Sequence, residues 1–249
     1  MRPLTGKRVL ITRAHPGAET LANRLTALGA EVVLAPTIAI EPIADPAPLF
    51  AQVARLTAAD WVVITSPTAA RLWALCTGTV TVPARLAAIG EATAAELRSQ
   101  GLPVAFTGAR ATGAALASSL LSLGPTGRFL LPRSDKAVAD LPIKLRSAGA
   151  DVIECDLYRT VSRPWTADEV RAVGAGVDAV TVMSPSALDG LLSQPGVTLW
   201  LSRARLVAMG PTTASAVTAR LGRPDAVADP PSIEALIASL CAVLGHTGG

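Results

Sequence analysis

The sequence predicts an α/β protein of doubly wound, open parallel sheets, arranged as two similar domains. Three observations predict it. Short, uninterrupted apolar runs recur along the chain, as in strands covered on both faces. Helix-period patterns separate them. Finally, one set of segments returns at a single spacing of 120 residues (13 to 133, 29 to 149, 90 to 210).

The first unit opens with Arg8-Val9-Leu10-Ile11-Thr12-Arg13, which resembles Arg128-Phe129-Leu130-Leu131-Pro132-Arg133. Val9 to Ile11 and Phe129 to Leu131 read as strands. Leu21, Leu25 and Leu28, and later Leu141, Leu145 and Ala148, follow helical spacing. Gly29 and Gly149 then stand where a helix C-cap glycine belongs. In the second unit, Asp60-Trp61-Val62-Val63-Ile64-Thr65-Ser66-Pro67 matches Asp178-Ala179-Val180-Thr181-Val182-Met183-Ser184-Pro185. Arg85 to Thr93 matches Arg205 to Thr213, and Thr112-Gly113-Ala114-Ala115-Leu116 matches Ser232-Ile233-Glu234-Ala235-Leu236. Two segments, 37–42 and 157–164, hold corresponding positions and read as extended, each ending on proline. Paired as a two-stranded tether (38–43 and 157–163), they leave 44–156 as one domain and join 1–37 to 164–249 as the other.

Composition narrows the function. Half of the 249 residues are hydrophobic and only 3% are aromatic, so the core is aliphatic. No run reaches the roughly 20 apolar residues of a membrane span. The opening Met1-Arg2-Pro3-Leu4-Thr5-Gly6-Lys7 leads into a strand and not a secretory segment, which gives a cytoplasmic expectation. Cys76, Cys155 and Cys241 are far apart and read as small buried hydrophobes. With only His15 and His246 available, a zinc site or a Ser-His-Asp triad is disfavoured. The net charge of +3 lacks an aromatic-basic cluster, which disfavours nucleic acid and suits a polyanionic small molecule.

In open α/β sheets ligands bind beyond the carboxyl ends of the strands. There stand Thr65-Ser66-Pro67 and Ser184-Pro185-Ser186, each a serine N-cap followed by proline in the first turn. Gly90-Glu91-Ala92-Thr93 and Gly210-Pro211-Thr212-Thr213 read as glycine turns opening helices. One such turn is an ordinary cap; four at matching positions suggest two facing anion-binding edges with a cleft between them. Arg13 and Arg133 follow first strands and could hold carboxylates, the bland reading being a salt bridge. Arg85 and Arg205 precede strands, at the wrong edge unless a loop folds over. Tyr158, the only tyrosine, can donate a proton or a hydrogen bond, or simply pack. His15 reads as a local loop residue. No Gly-x-Gly-x-x-Gly follows the first strand, and no Walker A lysine is present, against nucleotide binding.

Val9 to Arg13, Thr65-Ser66-Pro67, Ala88 to Ala94, Tyr158-Arg159-Thr160, Met183 to Ser186 and Ala208 to Ala214, in this order and spacing, resemble the uroporphyrinogen-III synthase family from about residue 7 to 244. The resemblance implies two flavodoxin-like domains joined by a two-stranded ladder, an active site in the cleft and no cofactor. Its motif tyrosine falls on Tyr158, assisting loss of the substrate hydroxyl. Its cleft-lining residues fall on Thr65, Ser66, Thr93, Ser184, Thr212 and Thr213, and a basic residue on Arg205. Arg13, Gly90, Arg133, Ser186 and Gly210 complete the expected binding set. The usual Arg-Pro is Arg13-Ala14 here, a departure in that loop. The implied reaction closes hydroxymethylbilane through an azafulvene and a spiro intermediate, inverting the last ring. It also implies a monomer in transient contact with hydroxymethylbilane synthase. The competing expectations are a non-catalytic tetrapyrrole or polycarboxylate sensor of the same fold and a solute-binding protein. No helix-turn-helix output pattern supports the sensor, and no signal peptide supports the solute-binding protein.

Overall fold

The structure is a computed structural model that describes residues 2–13, 18–78, 80–124 and 127–245. His15 and His246 lie outside the described residues. In chain order the elements begin with β1 (Arg8–Ile11), α1 (Ala18–Ala27), β2 (Glu31–Leu34) and β3 (Ile38–Pro42). The middle of the chain forms α2 (Ala47–Val53), β4 (Trp61–Ile64), α3 (Pro67–Thr77), β5 (Arg85–Ala88) and α4 (Glu91–Ser99). It continues with β6 (Phe106–Thr107), α5 (Gly113–Ser122), β7 (Phe129–Ser134), α6 (Asp140–Ser147) and β8 (Val152–Ser162). Last come α7 (Ala167–Gly174), β9 (Ala179–Val182), α8 (Pro185–Leu192), α9 (Val197–Leu201), β10 (Arg205–Met209), α10 (Gly210–Leu221), β11 (Ala226–Ala228) and α11 (Ile233–Gly245).

The chain forms two compact units, Met1–Ile40 with Val161–Gly249, and Glu41–Thr160. The first holds a parallel sheet in the order β2-β1-β9-β10-β11. Counted along the chain this is 2-1-3-4-5, the flavodoxin-like order, with its switch point between β1 and β9. The second sheet runs β3-β8-β7-β4-β5-β6. Its strands β8-β7-β4-β5-β6 are parallel, and the switch point falls between β7 and β4. β3 is hydrogen-bonded beside β8 at the sheet edge.

Aliphatic strands form because both faces are covered. Val9 and Ile11 pack with Leu21 and Leu25 of α1 and with Leu236 and Leu240 of α11. Leu10, between them, packs the other way, with Leu188 and Leu191 of α8 and Val217 of α10. Period-two alternation thus sends adjacent residues into two cores. Each such side chain contributes about 1.5–3 kcal/mol. In the second unit Trp61, Val63, Phe129 and Leu131 pack on Leu116 and Leu120 of α5 and on Leu141 and Leu145 of α6.

A carboxylate fixes the central strand pair at its amino end in each unit. Asp60 accepts the N–H groups of Arg128 (2.6 Å) and Thr57 (2.7 Å) and the Thr57 hydroxyl (2.9 Å). Burial opposes its charge, but these donors win and hold its pKa down at about 2. In the first unit Asp178 accepts the Arg8 N–H at 2.7 Å. Glycine is required beside the Asp60 anchor, because a Cβ on Gly127 would stand 2.2 Å from the Ala59 carbonyl oxygen. The opposite ends of these strands carry the candidate site.

Candidate active site

At the carboxyl end of β4, Thr65 is half-buried and leads to Ser66, the N-cap of α3. Ser66 is extended, and its Oγ accepts the Ala69 N–H at 3.0 Å. Pro67 follows in the first turn, where its missing N–H costs nothing. Across the switch point β7 ends in Arg133-Ser134, and the next strand, β8, carries Tyr158. The Tyr158 ring is only 7% exposed, and its hydroxyl lies 3.3 Å from Ser66 Oγ. Either oxygen of this pair can donate. Burial raises the Tyr158 pKa; the Ser66 hydrogen bond opposes that, and the Asp135 carboxylate adds to it. The phenol is therefore a neutral donor across the physiological range, backed by the positive end of α3.

Thr160 of the Tyr158-Arg159-Thr160 motif and two polar residues that no motif marked, Ser134 and Asp135, complete this cluster. Ser134 Oγ donates to Asp135 Oδ1 at 3.0 Å and lies 3.4 Å from Thr160 Oγ1. Asp135 Oδ1 also accepts the Thr160 N–H at 3.1 Å. The available signal was the polar run Arg133-Ser134-Asp135-Lys136 directly after an apolar strand.

At the neighbouring β5 end, Gly90 is the N-cap of α4. Its backbone is extended, so its conformation does not demand glycine, and a Cβ would meet Ala111 Cβ closely, at 3.3 Å. Thr93 is only 2% exposed, so its side chain is packed inside and not open to a ligand.

The first unit repeats part of this layout at its own carboxyl edge. Ser184 caps α8 by accepting the Ala187 N–H at 3.1 Å, and Ser186 lies half-buried in the same first turn. Arg13 follows β1 directly after Thr12, whose buried hydroxyl donates to the Thr181 carbonyl at 2.8 Å. Gly210, the first residue of α10, has a φ of +75°, and a Cβ there would stand 2.8 Å from Pro231 Cγ. Thr212 is exposed in that turn, whereas Thr213 is buried.

Two expected arginines are placed differently. Arg133 does not follow a strand; it lies within β7 and is spent on structure. Its guanidinium pairs with Glu154 and donates to the carbonyls of Ala137 and Val138, folding the loop after β7 around itself. Arg205 begins β10, paired in register with Ala179 at the start of β9. It sits at the opposite end of the sheet from Ser184 and Gly210 and pairs with Asp225 at 2.9 Å, so no loop brings it to the site. Arg85 is likewise at an amino end, its guanidinium 4.2 Å above the Trp61 ring. Among the described residues no group of three or more His, Cys, Asp or Glu is placed to hold a metal ion, and no helix is long and apolar enough to cross a membrane.

Two doubly wound α/β units, with hydroxyl groups and helix N-termini at the carboxyl ends of their strands, define a class of open α/β proteins. Within it, the chain belongs to the uroporphyrinogen-III synthase HemD family, whose model matches residues 6–238. It is 31% identical over 174 residues to a uroporphyrinogen-III synthase of Synechococcus elongatus, covering 64% of this chain and 62% of that protein. It is 26% identical over 201 residues to a porphyrin biosynthesis protein HemD of Ruminiclostridium josui, covering 77% of this chain and 40% of that protein. The chain thus spans less than two thirds of these curated relatives. Its fold is that of a mutant uroporphyrinogen III synthase from the extremely thermophilic bacterium Thermus thermophilus (TM-score 0.62, 21% identity, 96% of this chain and 99% of the other). It also matches a uroporphyrinogen-III synthetase from Helicobacter pylori (TM-score 0.66, 17% identity, 95% and 99%).

Proposed function

We propose that this chain is a uroporphyrinogen-III synthase, closing hydroxymethylbilane to uroporphyrinogen III and water with inversion of the last ring. The observation that carries the proposal is the Tyr158 hydroxyl. It is buried at a switch point, bonded to an N-cap serine and kept protonated. Tyr158 gives its proton to the departing substrate hydroxyl, which leaves as water. The Ser66 hydroxyl donates to the phenolate left behind. The resulting azafulvenium cation is attacked by the substituted carbon of the last ring, giving a spiro intermediate that fragments and recloses. A ring carbon loses the final proton, which restores the phenol.

The substrate closes unaided to isomer I, so the enzyme's task is largely to hold it. Carboxylates suit the helix N-termini at Ser66, Gly90, Ser184 and Gly210, with Thr65, Ser186, Thr212 and Arg13 beside them. Thr93 and Thr213 serve by packing their first turns. The reading carries with it a cytoplasmic monomer in transient contact with hydroxymethylbilane synthase, which the short life of the substrate favours.

The test is a coupled assay with hydroxymethylbilane generated in situ and the oxidised products resolved into isomers I and III. Isomer III rising with enzyme concentration is expected. Isomer I alone, from folded protein, overturns the proposal; tetrapyrrole binding without turnover would then point to the sensor.

A further inference from the structure

The β7–β8 ladder slips next to the candidate acid. Arg133 pairs with Asp156, but Ser134 pairs with Tyr158, so β8 advances two residues while β7 advances one. Such a bulge breaks the ladder locally and re-aims a side chain. The burial pattern shows the effect as a change of phase: approaching the break Ile153, Cys155 and Leu157 are the more buried residues and Glu154 and Asp156 are exposed, whereas beyond it Tyr158 and Thr160 are buried and Arg159 is exposed.

One residue holds β8 immediately beyond the break. The Asp135 N–H donates to the Tyr158 carbonyl at 3.2 Å, and Asp135 Oδ1 accepts the Thr160 N–H at 3.1 Å. Asp135 therefore grips β8 on both sides of Arg159, directly after Tyr158. The same oxygen takes the Ser134 hydroxyl, which in turn accepts the Lys136 N–H at 3.2 Å and closes the turn. Slight burial works against the charge of Asp135, but the Thr160 N–H, Ser134 and Lys136 hold its carboxyl below the usual range, so it stays ionised.

We propose that Asp135 is a positioning residue for Tyr158. It locks the bulge so that the phenol hydroxyl stays against Ser66. This inference rests on the synthase reading for its kinetic part alone. The charged groups on the surrounding elements are Asp135 and Lys136 after β7, Arg133 within it, Glu154, Asp156 and Arg159 on β8, and Glu41 on β3. Arg133 is taken by Glu154 and by loop carbonyls. On α3, Arg71 is drawn towards Glu96 at 3.8 Å.

Two variants and two readouts test it. Asp135→Ala removes the grip and is expected to lower kcat about tenfold with KM changed by less than about twofold. Asp135→Asn keeps an acceptor oxygen without the charge. It is expected to hold kcat within about threefold of the parent and to move the alkaline limb of the rate profile to lower pH. The second readout needs no activity: Tyr158 is the only tyrosine, so its ionisation is read directly by tyrosinate absorbance or a single 13Cζ resonance. Its midpoint should fall in Asp135→Asn. An unchanged kcat in Asp135→Ala overturns the proposal, as does a higher KM at constant kcat, which would make Asp135 a substrate contact. If the parent protein forms no isomer III, the synthase reading fails by itself. The titration then decides, and equal midpoints in parent and Asp135→Asn overturn the placement of Asp135 at Tyr158.

Discussion

Replacing Tyr158 with phenylalanine separates acid catalysis from positioning. The ring remains and the core loses only a hydroxyl, whose bond to Ser66 is a long 3.3 Å. Ser66 keeps its second bond, to the Ala69 N–H. Stability should therefore change by less than about 1 kcal/mol. A general acid contributes about 10²–10⁴-fold. Here the hydroxyl departs from a carbon whose cation is delocalised over a pyrrole, which sets the low end: a loss of about 10²-fold in kcat, or about 2.7 kcal/mol. Orientation of the four-ring chain is untouched, so the fraction of isomer III should not change. The assay is single-enzyme turnover of hydroxymethylbilane with product isomers separated, alongside a denaturant melt. Complete loss of activity in folded Tyr158→Phe would make the tyrosine obligatory and refute a mainly positional mechanism. Unchanged kcat would remove Tyr158 as the acid.

Other outcomes follow from the same geometry. Asp60, with its pKa lowered from the usual 3.8 to about 2, stabilises the fold by up to about 2.4 kcal/mol. Because the folded value is the lower one, that stability is present above pH 3.8 and is lost as pH falls through 2. The gap between parent and Asp60→Asn in urea melts should therefore shrink from about pH 5 downwards; a constant gap would refute the assignment. Ser66→Ala and Ser184→Ala each remove one cap and should cost about 1 kcal/mol alike, but only Ser66→Ala should slow kcat, as steady-state kinetics would show. Gly210→Ala forces a side chain into a left-handed backbone and against Pro231, and should cost about 1–3 kcal/mol by thermal melt. Arg205→Ala should leave kcat/KM unchanged, since its exposed partner is Asp225; a tenfold loss would return it to the site.

Much of the fold was legible because it depends on local pattern. Val9-Leu10-Ile11 and Val62-Val63-Ile64 suit strands covered on both faces, and the Ser-Pro pairs at 66 and 184 read as helix caps from local chemistry. Gly29 and Gly149 do take the positive φ of helix C-termini. What escaped depends on partners distant in sequence. Whether Arg133 greets a ligand or a protein carboxylate is decided by Glu154, which only the β7–β8 pairing brings near. The slip at Arg133/Ser134 leaves no mark in hydrophobic periodicity until both strands are seen together. Asp135 and Thr160 were invisible as a pair for that reason. Burial of Thr93 and Thr213 likewise reflects how each helix is rolled on its sheet, which a motif does not encode.

The interleaving of the units has a consequence for the chain as it leaves the ribosome. β1 needs β9 as a neighbour, yet Ala179 emerges some 168 residues after Ile11. At about 5–20 residues per second, that wait is roughly 10–30 s. Throughout it Val9, Leu10 and Ile11 lack β9 and the side chains of α8, α10 and α11 that cover them, while Glu41–Thr160, uninterrupted in sequence, can finish folding. The amino-terminal strand is thus the segment that a holding chaperone would shield longest during synthesis.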